Sequence, residues 1–171
     1  MIDFTGIDYL KSGNERQKKA YNTISKYRIF EKLHKFSPVL AGTIPLEIDV
    51  PGSDLDIICE IKNEEDFLNA LYSLLPENIN FTIEKEVIGD QECTIMNTVL
   101  DHFPIEIFGQ RKPSTEQNAY RHMMAEYTIL KERGEDFKQK IIELKKKGIK
   151  TEPAFGILLH LEDPYEDLLK M

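Results

Sequence analysis

The chain has 171 residues, 41% of them hydrophobic and 30% charged, which is typical of a globular domain with one buried core. Its formal net charge of -8 and pI near 5.1 disfavour sequence-independent binding to nucleic acid, which depends on Lys and Arg neutralising phosphates. The first residues do not form a cationic segment followed by an apolar one, and no apolar run reaches the roughly 18 residues that span a bilayer, so we expect a cytoplasmic protein.

The N-terminal part predicts a helix followed by a short strand. Between residues 14 and 36 the apolar positions recur mainly at spacings of three and four, as in an amphipathic helix that Ser12 or Asn14 could cap. Residues 38–41 are short and apolar and run into Gly42-Thr43, which indicates a first strand ending in a turn.

The middle of the chain predicts most of a sheet. Residues 44–53 contain Pro45 and Pro51 and read as a connection without a long helix. Residues 54–61 then predict a strand, and Asn63 predicts the N-cap of the next helix. Three further strands are expected at residues 81–88, 92–100 and 103–108, and their short linkers favour antiparallel pairing.

The C-terminal third is helical in pattern. Ser114 and Gln117 have the spacing of a capping box before a helix that stops ahead of Gly134, and a second helix should end at Gly148. Thr151 and Asp163 are expected to cap two short final helices. Together these elements predict an α+β fold: a single domain over residues 1–171, with a mixed or antiparallel sheet flanked by helices, a core at about 14–112 and a helical extension at about 114–171.

Three acidic residues have the spacing of a metal site. Asp54 and Asp56 are separated by one apolar residue, so in a strand their carboxylates project to the same side, about 7 Å apart. Such a pair suits Mg²⁺, which takes one or two carboxylates and completes its shell with water and substrate phosphates. Glu106 lies between Ile105 and Ile107 on a later strand. If that strand adjoins the first, the three acids converge and could hold two metal ions.

A phosphate-binding turn is predicted just before the acidic pair. Glycine at position 42 allows a phosphate to approach the backbone closely, and the hydroxyl and N–H groups that follow, beginning with Thr43, can donate hydrogen bonds to it.

The Gly42-Thr43 turn, the spacer 44–52, the stretch Ser53 to Ile57 and the later Ile105-Glu106-Ile107 together resemble the DNA polymerase beta-like nucleotidyltransferase superfamily. Residues 42–57, 105–123 and 151–155 more closely resemble an uncharacterised bacterial family allied to it. The resemblance implies transfer of a nucleotidyl group from a nucleoside triphosphate, which we expect to be ATP, with Mg²⁺ or Mn²⁺ as cofactor. By motif position, Asp54, Asp56 and Glu106 would bind metal, Glu106 would also help to deprotonate the acceptor, and Gly42, Thr43 and Ser53 would bind the nucleotide.

Further candidates for substrate binding follow Glu106 in the sequence. Arg111, Arg121 and His122 could reach a phosphate or an acceptor from the mouth of the cleft. The alternative is that Arg111 is a solvated loop residue and that His122 pairs with Glu126 one helical turn later.

The leading functional prediction is a metal-dependent nucleotidyltransferase acting on a small-molecule or protein acceptor, because the acidic composition argues against a nucleic-acid acceptor. A second hypothesis is a binding module that keeps the fold, and it is favoured by the absence of Arg and Lys from residues 44–52, where many active relatives carry a basic residue. A third hypothesis is a metal-dependent phosphoesterase. With a labelled nucleoside triphosphate, a transferase would give a labelled acceptor, a binding module would give no product, and a phosphoesterase would release free nucleotide.

Overall fold

The computed structural model describes residues 2–171 and shows a five-stranded mixed sheet with helices on both faces. The strands are β1 (Val39–Ala41), β2 (Leu55–Glu60), β3 (Phe81–Ile88), β4 (Gln91–Leu100) and β5 (Phe103–Gln110). The helices are α1 (Glu15–Lys26), α2 (Ile29–Lys32), α3 (Glu64–Tyr72), α4 (Asn118–Arg133), α5 (Glu135–Lys146), α6 (Thr151–Leu159) and α7 (Pro164–Leu168). The predicted α+β class is confirmed.

The strand order is β1-β2-β5-β4-β3. The segments β3, β4 and β5 form an antiparallel meander, as their short linkers predict, and β1 pairs antiparallel with β2. Only the contact between β2 and β5 is parallel, because α3 and the first two strands of the meander separate them in the chain. This single parallel contact places Asp56 opposite Glu106.

The two faces of the sheet belong to two hydrophobic cores. On β2, Leu55 and Ile57 pack with α1, α2 and α3, whereas Ile58 on the opposite face belongs to the core under the C-terminal helices. On β5, Ile105 and Ile107 join the first core in the same alternating way. The side chains between them, including Asp56 and Glu106, therefore face the C-terminal helices.

The first helix is shorter than its periodicity predicts. Asn14 and Gln17 form a capping box at the start of α1, so of the two predicted caps it is Asn14 that is used. The single helix expected over residues 14–36 is interrupted at Arg28, which has a left-handed backbone (φ 54°), and α2 and a short 3-10 turn (His34–Phe36) follow. The break allows Ile29 and Leu33 to be fully buried in the first core.

Two predicted helix caps in the C-terminal part are wrong because their side chains make tertiary contacts. The Ser114 hydroxyl donates to the carbonyl of Ser37, and the Gln117 amide donates to the carbonyls of Cys59 and Lys112, so neither caps α4. Thr151 is the first residue of α6 and accepts a hydrogen bond from Lys145 Nζ.

The remaining C-terminal boundaries agree with the prediction. The helix α4 ends at Arg133, directly before Gly134, and Asp163 caps α7 by accepting a hydrogen bond from the Glu166 N–H. No helix within residues 2–171 is both long enough and apolar enough to span a membrane.

Candidate active site

A cleft of about 980 Å³ lies between the sheet and the C-terminal helices. Its floor is the face of β2 and β5 that carries Asp56 and Glu106, and the turn before β2 adds Asp54. The far wall comes from α4, the end of α5 and the start of α6, and the turn between β3 and β4 closes one side. The C-terminal helices therefore complete the cleft that the sheet begins.

The three predicted acidic residues meet in this cleft. Asp54 directly precedes β2, one residue outside the strand that was expected to include it. In the parallel register of β2 with β5, Asp56 lies opposite Glu106, and neighbouring strands are only about 4.8 Å apart. Side chains opposite each other in a ladder project to the same face, so the two carboxylates are adjacent.

The electrostatics of these acids reflect close packing of like charges. Burial raises the pKa of Asp56 to about 7, and the negative charges of Asp54 and Glu106 add to the shift while Lys145 opposes it. Burial likewise raises the pKa of Glu106, with the charges of Asp54 and Glu86 contributing. Ionising all three carboxylates together is therefore unfavourable unless a cation lies between them.

The acids suit a divalent ion that also has ligands other than protein. Among residues 2–171, no three or more His, Cys, Asp or Glu side chains are arranged closely enough to hold a metal ion by themselves. Mg²⁺ needs only one or two carboxylates and takes its other ligands from water and substrate phosphates. Burial, with the added repulsion of Asp54 and Glu106, raises the pKa of Asp56, and a cation bound there would offset both. The donor set therefore fits magnesium bound jointly with a phosphate substrate.

The Gly42 turn packs directly against the acidic floor. Ala41 at the end of β1 pairs with Asp56, and Gly42 follows with a left-handed backbone (φ 78°). A Cβ atom added to Gly42 would overlap Asp56 Oδ2. Both the backbone conformation and the available space therefore require glycine here.

The other two predicted nucleotide-binding residues also line the cleft. The carbonyl of Thr43 accepts hydrogen bonds from the N–H groups of Leu46 and Ile48, which fixes the turn that follows. The Ser53 hydroxyl accepts a hydrogen bond from the Val50 N–H at 2.9 Å and holds the second turn. Both turns thus have a defined shape at the edge of the floor.

The predicted substrate-binding residues of the C-terminal part are not brought together. Arg111 is an exposed loop residue outside the cleft, and Arg121 donates to the carbonyl of Leu169, also outside it. His122 does line the cleft. Its Nε2 lies 2.8 Å from the carbonyl of Tyr165.

The expected pair of His122 with Glu126 is replaced by a longer-range contact. His122 Nδ1 lies 3.7 Å from Glu152 Oε1 on α6. The alternative interpretation of His122 was therefore wrong about its partner, and the histidine belongs to the wall of the cleft.

Lys145 is the cation that sequence reasoning missed. The charged run 145–147 is typical of a solvated helix face, which holds for the exposed Lys146 and Lys147, but Lys145 is half-buried in the cleft. Burial lowers the pKa of its ammonium group, while the charges of Glu126 and Glu152 oppose the shift. The available signal was its position one helical turn after the buried Ile141.

Glu126 was also missed. It is 3% exposed on α4, although it lines the cleft. Burial raises the pKa of Glu126 to about 8, and the charge of Glu152 adds to the shift. The available signal was its position three residues from both Met123 and Ile129, which are buried on the same helix.

A family profile described as "Domain of unknown function (DUF4269)" matches residues 22–171. The chain belongs to the DUF4269 family. This agrees with the expected resemblance to an uncharacterised family. Comparison with curated protein sequences finds no match.

Solved structures similar to this DUF4269 protein share its fold at low sequence identity. The Cid1 poly(U) polymerase aligns with a TM-score of 0.56 and 10% identity, covering 81% of this chain and 46% of that one. The polymerase core of TRAMP, a RNA surveillance complex, gives 0.53 and 14%, covering 96% and 58%. The GLD-2/RNP-8 complex gives 0.55 and 12%, covering 89% and 60%. The fold is therefore the nucleotidyltransferase fold, and the chain spans about half the length of these neighbours.

Proposed function

We propose that this DUF4269 protein is a metal-dependent nucleotidyltransferase that moves a nucleoside monophosphate group from a nucleoside triphosphate, ATP by expectation, to an acceptor. The observation that carries the proposal is the meeting of Asp54, Asp56 and Glu106 in one cleft beside the Gly42 turn. The fold supports it, since the similar solved structures include polymerases and a terminal transferase.

In the proposed reaction an acceptor hydroxyl oxygen attacks the α-phosphorus of the triphosphate. The new O–P bond forms as the bond from the α-phosphorus to the bridging oxygen breaks, and pyrophosphate leaves with that electron pair. Glu106 accepts the hydroxyl proton, a role suited to a carboxylate whose pKa burial raises towards the operating pH. Asp54 and Asp56 would hold Mg²⁺ or Mn²⁺, which would supply positive charge to neutralise the phosphates and stabilise the leaving oxygen.

The phosphates would be bound by the Gly42 turn and by Lys145. The hydroxyl of Thr43 and neighbouring N–H groups can donate to phosphate oxygens, with Ser53 at the adjoining turn. Lys145 adds a positive charge from the opposite side of the cleft, close enough to Asp56 to lower its pKa. It would supply the cation that residues 44–52 lack, which weakens the case for a non-catalytic binding module.

The acceptor is the open part of the proposal. The acidic composition favours a small-molecule or protein acceptor over a nucleic acid. That preference has no support from the fold neighbours, however, since they are described as a poly(U) polymerase, part of a RNA surveillance complex and a RNA terminal U-transferase. An RNA 3′ end is therefore tested beside the other acceptors.

The test uses nucleoside triphosphates labelled at the α-phosphate. ATP, CTP, GTP and UTP are each incubated with the purified protein and Mg²⁺ or Mn²⁺. Either cell extract or an RNA oligonucleotide is the source of acceptor. The Asp54→Asn, Asp56→Asn double variant removes both metal carboxylates, and Glu84→Gln is the control because Glu84 is an exposed strand acid outside the cleft.

We expect a labelled acceptor with the wild-type protein and with Glu84→Gln, and a loss of at least about a hundredfold with the double variant. Release of free nucleoside monophosphate without any labelled acceptor would establish the phosphoesterase hypothesis instead. Metal-dependent binding of nucleotide without any product would establish the binding module.

A further inference from the structure

The wall opposite the acidic floor carries its own unpaired carboxylate. Glu126 is 97% buried as a residue, lines the cleft, and accepts no hydrogen bond and forms no ion pair with any residue in 2–171. A mostly buried carboxylate without a partner in the protein is costly in free energy, and a proton or a ligand would relieve that cost. Burial raises the pKa of Glu126, in keeping with the absence of a hydrogen-bond donor to its carboxylate.

The nearby cation does not satisfy this group. Lys145 Nζ donates to Thr151 Oγ1 at 2.6 Å, and among the described residues no carboxylate lies within 4.0 Å of it. Its attraction to Glu126 and Glu152 is therefore long-range. Lys145 is available to a phosphate, while the two glutamates still lack a donor.

Several polar atoms on this side of the cleft are acceptors without a donor, although Lys145 and Lys150 also line it. Glu152 on α6 adds a second carboxylate, and His122, placed with Nε2 against the Tyr165 carbonyl, turns Nδ1 towards Glu152. Gln117, 1% exposed and also lining the cleft, has an Oε1 atom that receives no hydrogen bond. A ligand that fits this wall must therefore present donors.

The charge balance of the whole cleft favours a cationic ligand. Six carboxylates line it, against three lysines, so acidic groups outnumber basic ones in the cleft as a whole. The carboxylates are those of Asp54, Asp56, Asp90, Glu106, Glu126 and Glu152, and the lysines are Lys112, Lys145 and Lys150. A polyanionic triphosphate seated at Gly42 and Lys145 is repelled by Glu126 and Glu152, so these two face the other substrate.

We propose that the acceptor carries a protonated amine beside its reacting hydroxyl, and that Glu126 and Glu152 bind this ammonium group. The identification of this ligand as the acceptor rests on the proposed transferase function. The binding site itself is defined by the two glutamates, and it exists whether or not transfer occurs.

The test compares glucosamine with glucose, which differ by an ammonium group in place of one hydroxyl. Binding to the full chain is measured by NMR titration or calorimetry without nucleotide, and separately with ATP and Mg²⁺. The variants are Glu126→Gln and Glu152→Gln, with Glu132→Gln as the matched control, since Glu132 is exposed on the same helix as Glu126 and lies outside the cleft. Thermal unfolding of each variant verifies that it is folded.

We expect glucosamine to bind at least about tenfold more tightly than glucose, and each cleft variant to remove most of that preference while Glu132→Gln keeps it. Equal binding of the two sugars, or a preference that survives both cleft variants, would overturn the inference and leave the transferase proposal intact. If Glu126→Gln instead weakens ATP binding and leaves glucosamine binding unaffected, the wall contacts the amino group of the nucleotide base and the inference is wrong. Amine binding that depends on Glu126, without labelled acceptor in the transfer assay, would support the site and count against the transferase.

Discussion

Asp56 on β2 lies directly opposite Glu106 on the parallel strand β5, and both carboxylates face the same cleft. Two acids that are far apart in the chain thus become neighbours through one parallel contact in an otherwise antiparallel sheet. The protein accepts an electrostatic cost at this position, because burial and like charge raise the pKa of Asp56 to about 7.

This cost predicts how stability depends on pH. A carboxyl group whose pKa is raised from 3.8 to about 7 binds more protons in the folded than in the unfolded state between those values. The metal-free protein should therefore lose stability as pH rises from about 4 to about 7. Asp56→Asn removes the charge, so it should be more stable than wild type by about 1 to 3 kcal/mol at pH 8 and closely similar at pH 4.

Urea denaturation with a chelator present, at pH 4, 6 and 8, measures this difference. Glu84→Gln, an exposed acid on β3, serves as the control and should show no comparable gain at pH 8. A loss of stability in Asp56→Asn that is equal at all three pH values would contradict the prediction, since it would indicate a packing role.

The contact of Gly42 with Asp56 predicts a second effect. Gly42→Ala places a methyl group against Asp56 Oδ2 at a left-handed position, so it should lose stability and also displace the carboxylate that we propose binds metal. Gly52→Ala is a matched control, because Gly52 also has a positive φ (90°) but open space around its missing Cβ. The control should show only the backbone cost of about 1 to 2 kcal/mol.

Calorimetric titration with Mn²⁺ and ATP, together with urea denaturation, separates the two contributions. We expect Gly52→Ala to keep its affinity and Gly42→Ala to lose at least about tenfold. Equal affinity in both variants would show that the overlap with Asp56 is relieved without affecting the site.

A third prediction concerns the link between α1 and the turn at Gly42-Thr43, which we propose binds phosphate. Gln17 is 3% exposed, and its amide donates to the carbonyls of Ile44 and Pro45 at 3.0 and 3.2 Å. Gln17→Ala leaves both carbonyls without that donor and should cost about 2 to 3 kcal/mol in unfolding free energy.

Asn14→Ala provides the comparison, since it removes only the capping partner of Gln17 and should cost about 1 kcal/mol. Nucleotide titration should show weaker binding for Gln17→Ala alone, because only that variant releases the turn after Thr43. Two equal stability losses would mean that the capping box accounts for the whole effect.

What could be predicted from the sequence was local or carried by a motif. Alternation along β2 and β5 predicted which acids share a face, and the spacing of Gly42 from Asp54 indicated their proximity. The strand boundaries followed from turn residues. The break at Arg28 did not, because neither Gly nor Pro marks it and its reason is the burial of Ile29 and Leu33.

The far wall of the cleft could not be predicted because it is formed by tertiary packing. Charged helix residues are usually solvated, and Lys145 and Glu126 are buried only where α4, α5 and α6 meet above the sheet. The capping box predicted at Ser114 and Gln117 failed for a similar reason. The local pattern does not show that the carbonyls of Ser37 and Cys59 accept hydrogen bonds from these two side chains.

The last prediction distinguishes two neighbouring lysines at the end of α5. Lys145 faces the cleft, whereas Lys146 is exposed. Replacing each by Met keeps the length of the side chain and removes its charge. Lys145→Met should weaken binding of ATP with Mg²⁺ by roughly 10- to 100-fold, because a half-buried ammonium group interacts with phosphate through a lower effective dielectric constant than a solvated one. Lys146→Met should change the affinity by less than about twofold, since exposed charges are screened.

Calorimetry at two salt concentrations measures both variants, and the loss in Lys145→Met should persist at higher salt. A similar loss in both variants, or one that disappears with added salt, would mean that only the general field of the lysine run attracts the nucleotide and that Lys145 does not contact it.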